Sequence, residues 1–256
     1  MASILDKYGI KEVADVTFYK LDNGQPTVPV LYLDTLKVST IEQTAENVEA
    51  KGGKGNVALV SWDYGKEINV TLEDALFSAK SMALMFGGAN ATIKSTASLI
   101  KTIEWEAKST GATPSAAGMP STFEANGRVF NVPATTMTSV DGCFDETGAS
   151  VSAFTSGARY FTRFNMPVIN SGVIEITAAN FPGTYYVTGD TYARSEKDGT
   201  DEFFQFIIPK AKVAAENTIT LEAEGDPSTF NMSLRVLRPA DGVMMKLVKY
   251  DMTEAT

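Results

Sequence analysis

From Lys66 to Leu72 the side chains alternate, with Lys66, Ile68, Val70 and Leu72 on one face and Glu67, Asn69 and Thr71 on the other. The same period of two returns near the end of the chain. Phe204, Phe206 and Ile208 alternate with Gln205 and Ile207, and Phe230, Met232, Leu234 and Val236 with Asn231, Ser233 and Arg235. Thr218–Ala223 and Val243–Tyr250, with Met245 and Leu247 on one face, continue the pattern. A strand sends successive side chains to opposite faces, so each run has one face for a core and one for water. Gly225-Asp226-Pro227-Ser228 and Pro239-Ala240-Asp241-Gly242 are the turns between them. Four such strands at short spacing predict an antiparallel meander or sandwich sheet.

Earlier in the chain, Val13–Leu21 is an expected strand, Asp22-Asn23-Gly24 a turn, and Val28–Leu33, interrupted by Pro29, an edge strand. Residues 1–12 read as an arm or short helix. Leu36–Ala50 is extended in character but polar on both faces. It either projects from the domain to pair with something else, or is a solvated hairpin or a helix over Thr40–Lys51. Gly52-Gly53-Lys54-Gly55-Asn56 reads as a hairpin tip, Val57–Trp62 as a strand and Asp63-Tyr64-Gly65 as a turn. A helix is expected directly after Lys66–Leu72, capped by Thr71 with Asp74 three residues on. Its core face would be Leu72, Leu76, Ala79, Ala83 and Phe86, with Ala75 alongside, and Gly87-Gly88 would end it. Met82 and Met85 read as core filler.

A strand around Ile100–Ala107 carries Trp105 as a core or interface anchor. Beyond it the composition changes. Residues 111–200 are rich in Ala, Ser, Thr and Gly and are broken by Pro114, Pro120, Pro133, Pro167 and Pro182. Gly127–Val132, Val173–Thr177 and Thr184–Tyr192 are short strand candidates, and Ser139–Gly157 reads as a long loop. The expected organisation is a discontinuous β-sandwich domain from residues 1–110 and 201–256, with 111–200 inserted as a β-rich domain or long-loop region.

The 256 residues contain no histidine and one cysteine, Cys143. That removes the commonest general base, the usual triad partner and a zinc site within one chain. It also means that no internal disulfide holds the fold. No run of eighteen apolar residues predicts a membrane span, and the opening residues carry no secretory signal pattern. The net charge of −9 is evenly spread. Residues 1–110 carry 11 basic and 14 acidic groups, 111–200 carry 5 and 8, and 201–256 carry 6 and 9. A uniformly acidic surface repels nucleic acid.

Phosphate-loop and calcium motifs fail on spacing. Lys54 is followed by Gly55-Asn56 and a strand rather than Ser or Thr and a helix, and Asp198–Glu202 is too short for an EF-hand. Asn69, Asn90 and Asn231 head sequons that have no meaning without secretion. Glu104/Glu106, Glu222/Glu224 and Asp145/Glu146 are the paired carboxylates, and none sits in an aromatic-rich sugar-cleft pattern. No enzyme activity and no cofactor are expected.

The run ENVEAKGGKGNVALVSWDYGKEINVTLEDALFSAKSMALMFG, together with FFQFIIPKAKVAAENTITLEAEGDPSTFNMSLRVLRPADGVMMKLVKYD, resembles the major tail tube proteins of long-tailed bacteriophages. The resemblance covers roughly residues 35–108 and 201–251. It implies a β-sandwich or barrel segment flanked by one helix, six copies to a ring, and stacked rings that form a conduit for DNA. It also implies a long hairpin reaching between subunits, for which Lys51, Gly52, Gly53, Lys54 and Gly55 are the tip candidates. Glu42, Glu46, Glu67 and Asn69 become candidates to line the lumen, where carboxylates would repel passing phosphate. The implied partners are further copies, a terminator, a baseplate or tip protein, a sheath in contractile tails, and DNA in transit. No membrane anchor is expected, and the implied location is the virion after synthesis in the host cytoplasm. The other readings are a tail terminator or capsid decoration protein, or a carbohydrate-binding sandwich using Tyr185, Tyr186 and Tyr192 of the insertion.

Overall fold

The computed structural model describes residues 7–87, 93–197, 199–216, 219 and 229–250. The chain is mainly β and antiparallel, and divides into two compact units, Met1–Ile93 with Ile174–Thr256, and Lys94–Val173. These boundaries differ from the expected 110/111 and 200/201. Residues 94–110 go with the smaller unit. Residues 174–200 go with the larger one, because their strand lies hydrogen-bonded in the middle of its sheet.

The larger unit is built on strands β1 (Tyr8–Asp22), β2 (Gln25–Leu33), β3 (Leu36–Gly52) and β4 (Val57–Asp74). The next three strands of the chain, β5 (Ile93–Glu106), β6 (Thr122–Ala125) and β7 (Arg128–Asn131), lead into the smaller unit. So do β8 (Cys143–Asp145) and β9 (Arg159–Ile174). The chain then returns through β10 (Thr184–Ser195), β11 (Asp201–Val213), β12 (Phe230–Val236) and β13 (Lys246–Tyr250). The sheet order in the larger unit is β2-β1-β10-β11-β12-β4-β3. β13 shares one edge of β11 with β12, β13 taking Phe203–Ile207 and β12 taking Ala211–Val213. The C-terminal strands are therefore not a simple meander: β12 pairs with β4, from far earlier in the chain. The expected strand over 218–223 and the turn over 225–228 lie outside the described residues, apart from Ile219.

Two cores-worth of alternation meet in one. Val16, Phe18, Val187, Phe206 and Ile208 share a single buried cluster with Val70, Leu72, Phe230, Met232 and Leu234. The sheet therefore folds over on itself, and the outward faces of its two halves point away from each other. Burying each of these large side chains contributes roughly 1.5–3 kcal/mol. Close packing is visible at Gly189, opposite Phe206 on β11: a Cβ there would lie 2.1 Å from the Phe206 ring, so only glycine fits.

The turn of Asn23-Gly24 is a two-residue hairpin with φ of 49° and 78°, the twist that suits strand pairs. β2 lies at the sheet edge, as Pro29 requires. Two expectations fail. Asp63-Tyr64-Gly65 is not a turn between strands but lies inside the continuous 18-residue β4. The helix begins later than expected: α1 spans Ala79–Gly87. Leu72 is a buried strand residue between Ser39 and Met232. Leu76 is 62% exposed in the connection. Asp74, instead of opening a helix, ends β4 buried, accepting from the Thr35 hydroxyl at 2.6 Å and from Leu76 N–H at 3.1 Å.

The true cap is Ser78, whose Oγ accepts from Ser81 N–H at 2.9 Å while Ser81 Oγ accepts from Ser78 N–H at 3.1 Å. The helix buries Ser81, Ala83, Leu84 and Met85, with Ala79 and Phe86 half-buried. A cap is worth about 1 kcal/mol. Ladder bonds on both sides of Leu72 and its full burial outweigh the Thr71 cap. Gly88 lies outside the described residues.

The smaller unit has the sheet β5-β9-β8, the hairpin β6–β7 turned by Asn126-Gly127, and a short helix α2 (Ala134–Thr138). Its core holds Trp105, Met119, Val132, Cys143, Phe154, Tyr160 and Phe164. Ser139–Gly157 is not a structureless loop. It contains β8 and the bridges Phe144↔Ser150 and Gly111↔Phe154. Val173–Thr177 is not a separate strand, since β9 ends at Ile174.

Candidate assembly surfaces

β3 and β4 pair from Leu36↔Asp74 to Gly52↔Val57. The half near the helix is anchored, with Ile68, Val70 and Leu72 in the core. Beyond Thr44 and Glu67 every residue of both strands is exposed except Gly52, which is half-buried. The ribbon there is an arm, closed by Gly53-Lys54-Gly55-Asn56 with Gly53, Gly55 and Asn56 at positive φ. Of the tip candidates, Lys51 and Gly52 end β3, and Gly53, Lys54 and Gly55 form the turn. Of the alternatives left open for Leu36–Ala50, the helix over Thr40–Lys51 is thereby excluded.

A bulge divides arm from base. Thr44 pairs with Glu67, but Glu46 pairs with Tyr64, so β4 carries one extra residue at Gly65, whose φ is +63°. A one-residue slip exchanges the faces of a strand. Val60, Trp62 and Tyr64 share parity with the core residues Ile68 and Val70, yet the bulge turns them to the opposite face. There they join Glu46 and Val48 of β3. Trp62 is 55% and Tyr64 54% exposed. The reverse face of the arm is polar, with Asn47, Glu49, Ser61 and Asp63.

The outward face of the base is polar except for Val38, which pairs with Glu73. Thr40, Thr71 and Ser233 form one row across β3, β4 and β12, and Glu42, Asn69 and Arg235 the next. Glu67 lies beside them and is ion-paired with Arg235. Glu42, Glu67 and Asn69 thus share one face; Glu46 continues that face of β3 but stands past the bulge, with the arm.

The other half of the sheet carries a different outward face. Tyr19 and Tyr186 meet edge-on, and Phe203 lies between Tyr192 and Tyr250. Asp15 and Asp190 are direct cross-strand partners. Each is held by neutral donors: Tyr32 OH to Asp15 at 3.2 Å, and Gln205 Nε2 and Tyr250 OH to Asp190 at 2.8 and 3.3 Å. Burial, then the Asp15 carboxylate, pushes the Tyr32 phenol above its usual range; burial and Asp190 do the same for Tyr250. Tyr185, Tyr186 and Tyr192 belong to this larger unit, not to the insertion. Their alternation puts Tyr185 in the core at 2% exposure and Tyr186 and Tyr192 outside.

The model of the YomU/Tube protein family matches residues 8–249. The chain belongs to the YomU/Tube protein family. It is a phage tube-like protein, as the runs at 46–87 and 203–251 imply, and by that membership a structural component of the phage tail. No curated protein matches it.

The match spans the smaller unit as well, so residues 111–200, outside the two runs, are part of the YomU/Tube match. Several of its polar groups are spent on its own architecture. Trp105 Nε1–H donates to Thr162 Oγ1 at 2.8 Å, and Cys143, fully buried, lies 3.3 Å from the same hydroxyl. Burial pushes the Cys143 thiol up. Asp145 Oδ1 accepts from Thr147 Oγ1 and from the N–H groups of Thr147 and Ala149, at 2.6 to 2.9 Å. Those bonds, the Thr147 hydroxyl foremost, hold the carboxyl below its ordinary range. Glu104 is exposed and tied to Arg159 at 3.2 Å. Among the described residues, no three His, Cys, Asp or Glu side chains converge as metal ligands, and no helix is long and apolar enough to cross a membrane.

Two features escaped sequence reading. The Gly65 bulge left a signal, a glycine between two alternating runs, that also fits a turn. The Ser78-x-x-Ser81 cap competed with Thr71-x-x-Asp74, which sits in a stronger-looking context.

Proposed function

We propose that this chain is a tail tube subunit without catalytic activity, whose copies assemble into stacked rings of six around a passage for DNA. The observation that carries the reading is the arm. In a tube-family chain, a ribbon leaves its core and holds Val48, Val60, Trp62 and Tyr64 in water. Exposed aromatic and aliphatic side chains in one row are the composition of a contact surface. The largely polar face of β3, β4 and β12, with Val38 as its apolar member, suits a wall past which DNA slides. Glu42, Glu67 and Asn69 are its proposed lining, with the charge of Glu67 offset by Arg235. Glu46 goes instead with the arm contact, and Lys51–Gly55 with the reach of the arm between copies. A chain of net charge −9 adds repulsion of phosphate. Assembly in the host cytoplasm, ending in the virion beside terminator and baseplate or tip proteins, completes the proposal.

Negative-stain electron microscopy of the full chain, before and after concentration, tests it. Hollow tubes or stacked six-fold rings are expected. Rings that never stack would favour a terminator, and single particles at every concentration and salt would overturn the reading. No observation favours sugar binding, since Tyr185 faces the core and leaves no three-tyrosine platform.

A further inference from the structure

A groove of about 750 Å³ opens at the root of the arm. Lys66, Lys212, Arg235 and Arg238 line it, with Glu67 and Glu216 as its acidic members, a local excess of two positive charges in a chain of net −9. Its floor is apolar, with Leu237 and Met244 half-buried there. Lys212 and Arg235 are direct cross-strand partners on β11 and β12. Like charges so placed repel, and that cost is relieved only by an anion set against them. Arg235 has Glu67; Lys66, Lys212 and Arg238 form no ion pair among the described residues. Among the described residues, none of the groove's lining comes from the arm beyond Gly65, so the arm does not cover it.

The arm face turned outward by the bulge has the complementary make-up: the Glu46 carboxylate beside Val48, Trp62 and Tyr64. A carboxylate and two electron-rich rings suit a seat with an apolar floor and three cations that form no ion pair among the described residues, through ion pairing and cation–π attraction. We infer that the arm face of one copy seats in the cationic groove of a second copy, Glu46 meeting Lys212 and Arg238 while Trp62 and Tyr64 cover Leu237 and Met244. The inference rests on the tube reading and supplies the receiving surface that reading lacks. Donor and acceptor are different patches, so the contact is heterologous and propagates from copy to copy.

Charge exchange tests this on the full chain. Lys212→Glu with Arg238→Glu should raise the concentration needed for assembly about ten-fold or more, and Glu46→Lys should act in the same direction. All three side chains are exposed, so circular dichroism should be unchanged. A mixture of the two variants should regain assembly, because each supplies the arm or groove the other's altered surface now fits. Assembly by both variants at wild-type concentration, or a mixture that stays dispersed, would overturn the seat while leaving the tube reading standing. Loss of retained DNA with assembly intact would also overturn it and make the groove a phosphate site. A wild-type chain that never assembles would sink both.

Discussion

The two ends of the β3–β4 ribbon share one ladder and differ in what covers them. At the base, Ile68, Val70 and Leu72 pack against β12 and the folded-over sheet. In the arm, side chains of similar size stand in water on strands of the same regularity. Backbone pairing is thus enough to define a strand's path, but only burial against a third element converts it into stability of the unit. What the arm lacks inside one chain is consistent with a surface to be covered by another.

The largest expected effect breaks the comparison at the base. Leu72→Ala should cost about 2–5 kcal/mol in urea unfolding, because a fully buried side chain leaves a cavity. Trp62→Ala, a larger truncation, should stay within about 0.5 kcal/mol of wild type for the isolated chain. A matching loss at both positions would mean that the arm packs on its own domain. The hinge between the two regions comes next. Gly65→Val forces a branched residue into φ of +63°, at a cost of about 1–2 kcal/mol in thermal unfolding. An unchanged melting temperature would show that β4 runs through without the bulge.

The smallest effect contrasts the smaller unit with the larger one. The Asp145 carboxylate, bonded within its loop, contributes stability present above the unfolded pKa near 3.9, lost as pH falls through its lowered folded value. Asp145→Asn should lower the melting temperature slightly at neutral pH and flatten its fall in acid. An identical acid profile would show that the loop does not depend on the charge.

Much of the fold was legible because it is written in local pattern. The alternation at 204–208 and 230–236, the Asn23-Gly24 turn and the glycine-rich arm tip need only neighbouring residues to be read. Where two local readings competed, sequence could not arbitrate. Thr71-Leu72-Glu73-Asp74 is a fair helix start and also a fair strand end. The deciding fact is Met232 on one side and Ser39 on the other, both remote in sequence. The candidate site divides the same way. Parity grouped Glu42 with Glu46 on β3 and Glu67 with Asn69 on β4, but it fails across Gly65 of β4, so the face of Trp62 could be assigned only from the register. The groove was invisible altogether, since Lys66 comes from β4, Lys212 from β11 and Arg238 from the segment after β12.

By itself, then, the amino-acid order determined the class of structure: period two demands sheets, missing histidine removes the usual chemistry, and two long runs mark the family. Tertiary structure decided which strands are neighbours, where the helix starts, which way the arm's aromatic row faces and where the cations gather. Each of those depends on a free-energy difference between remote partners, and no local pattern carries that information.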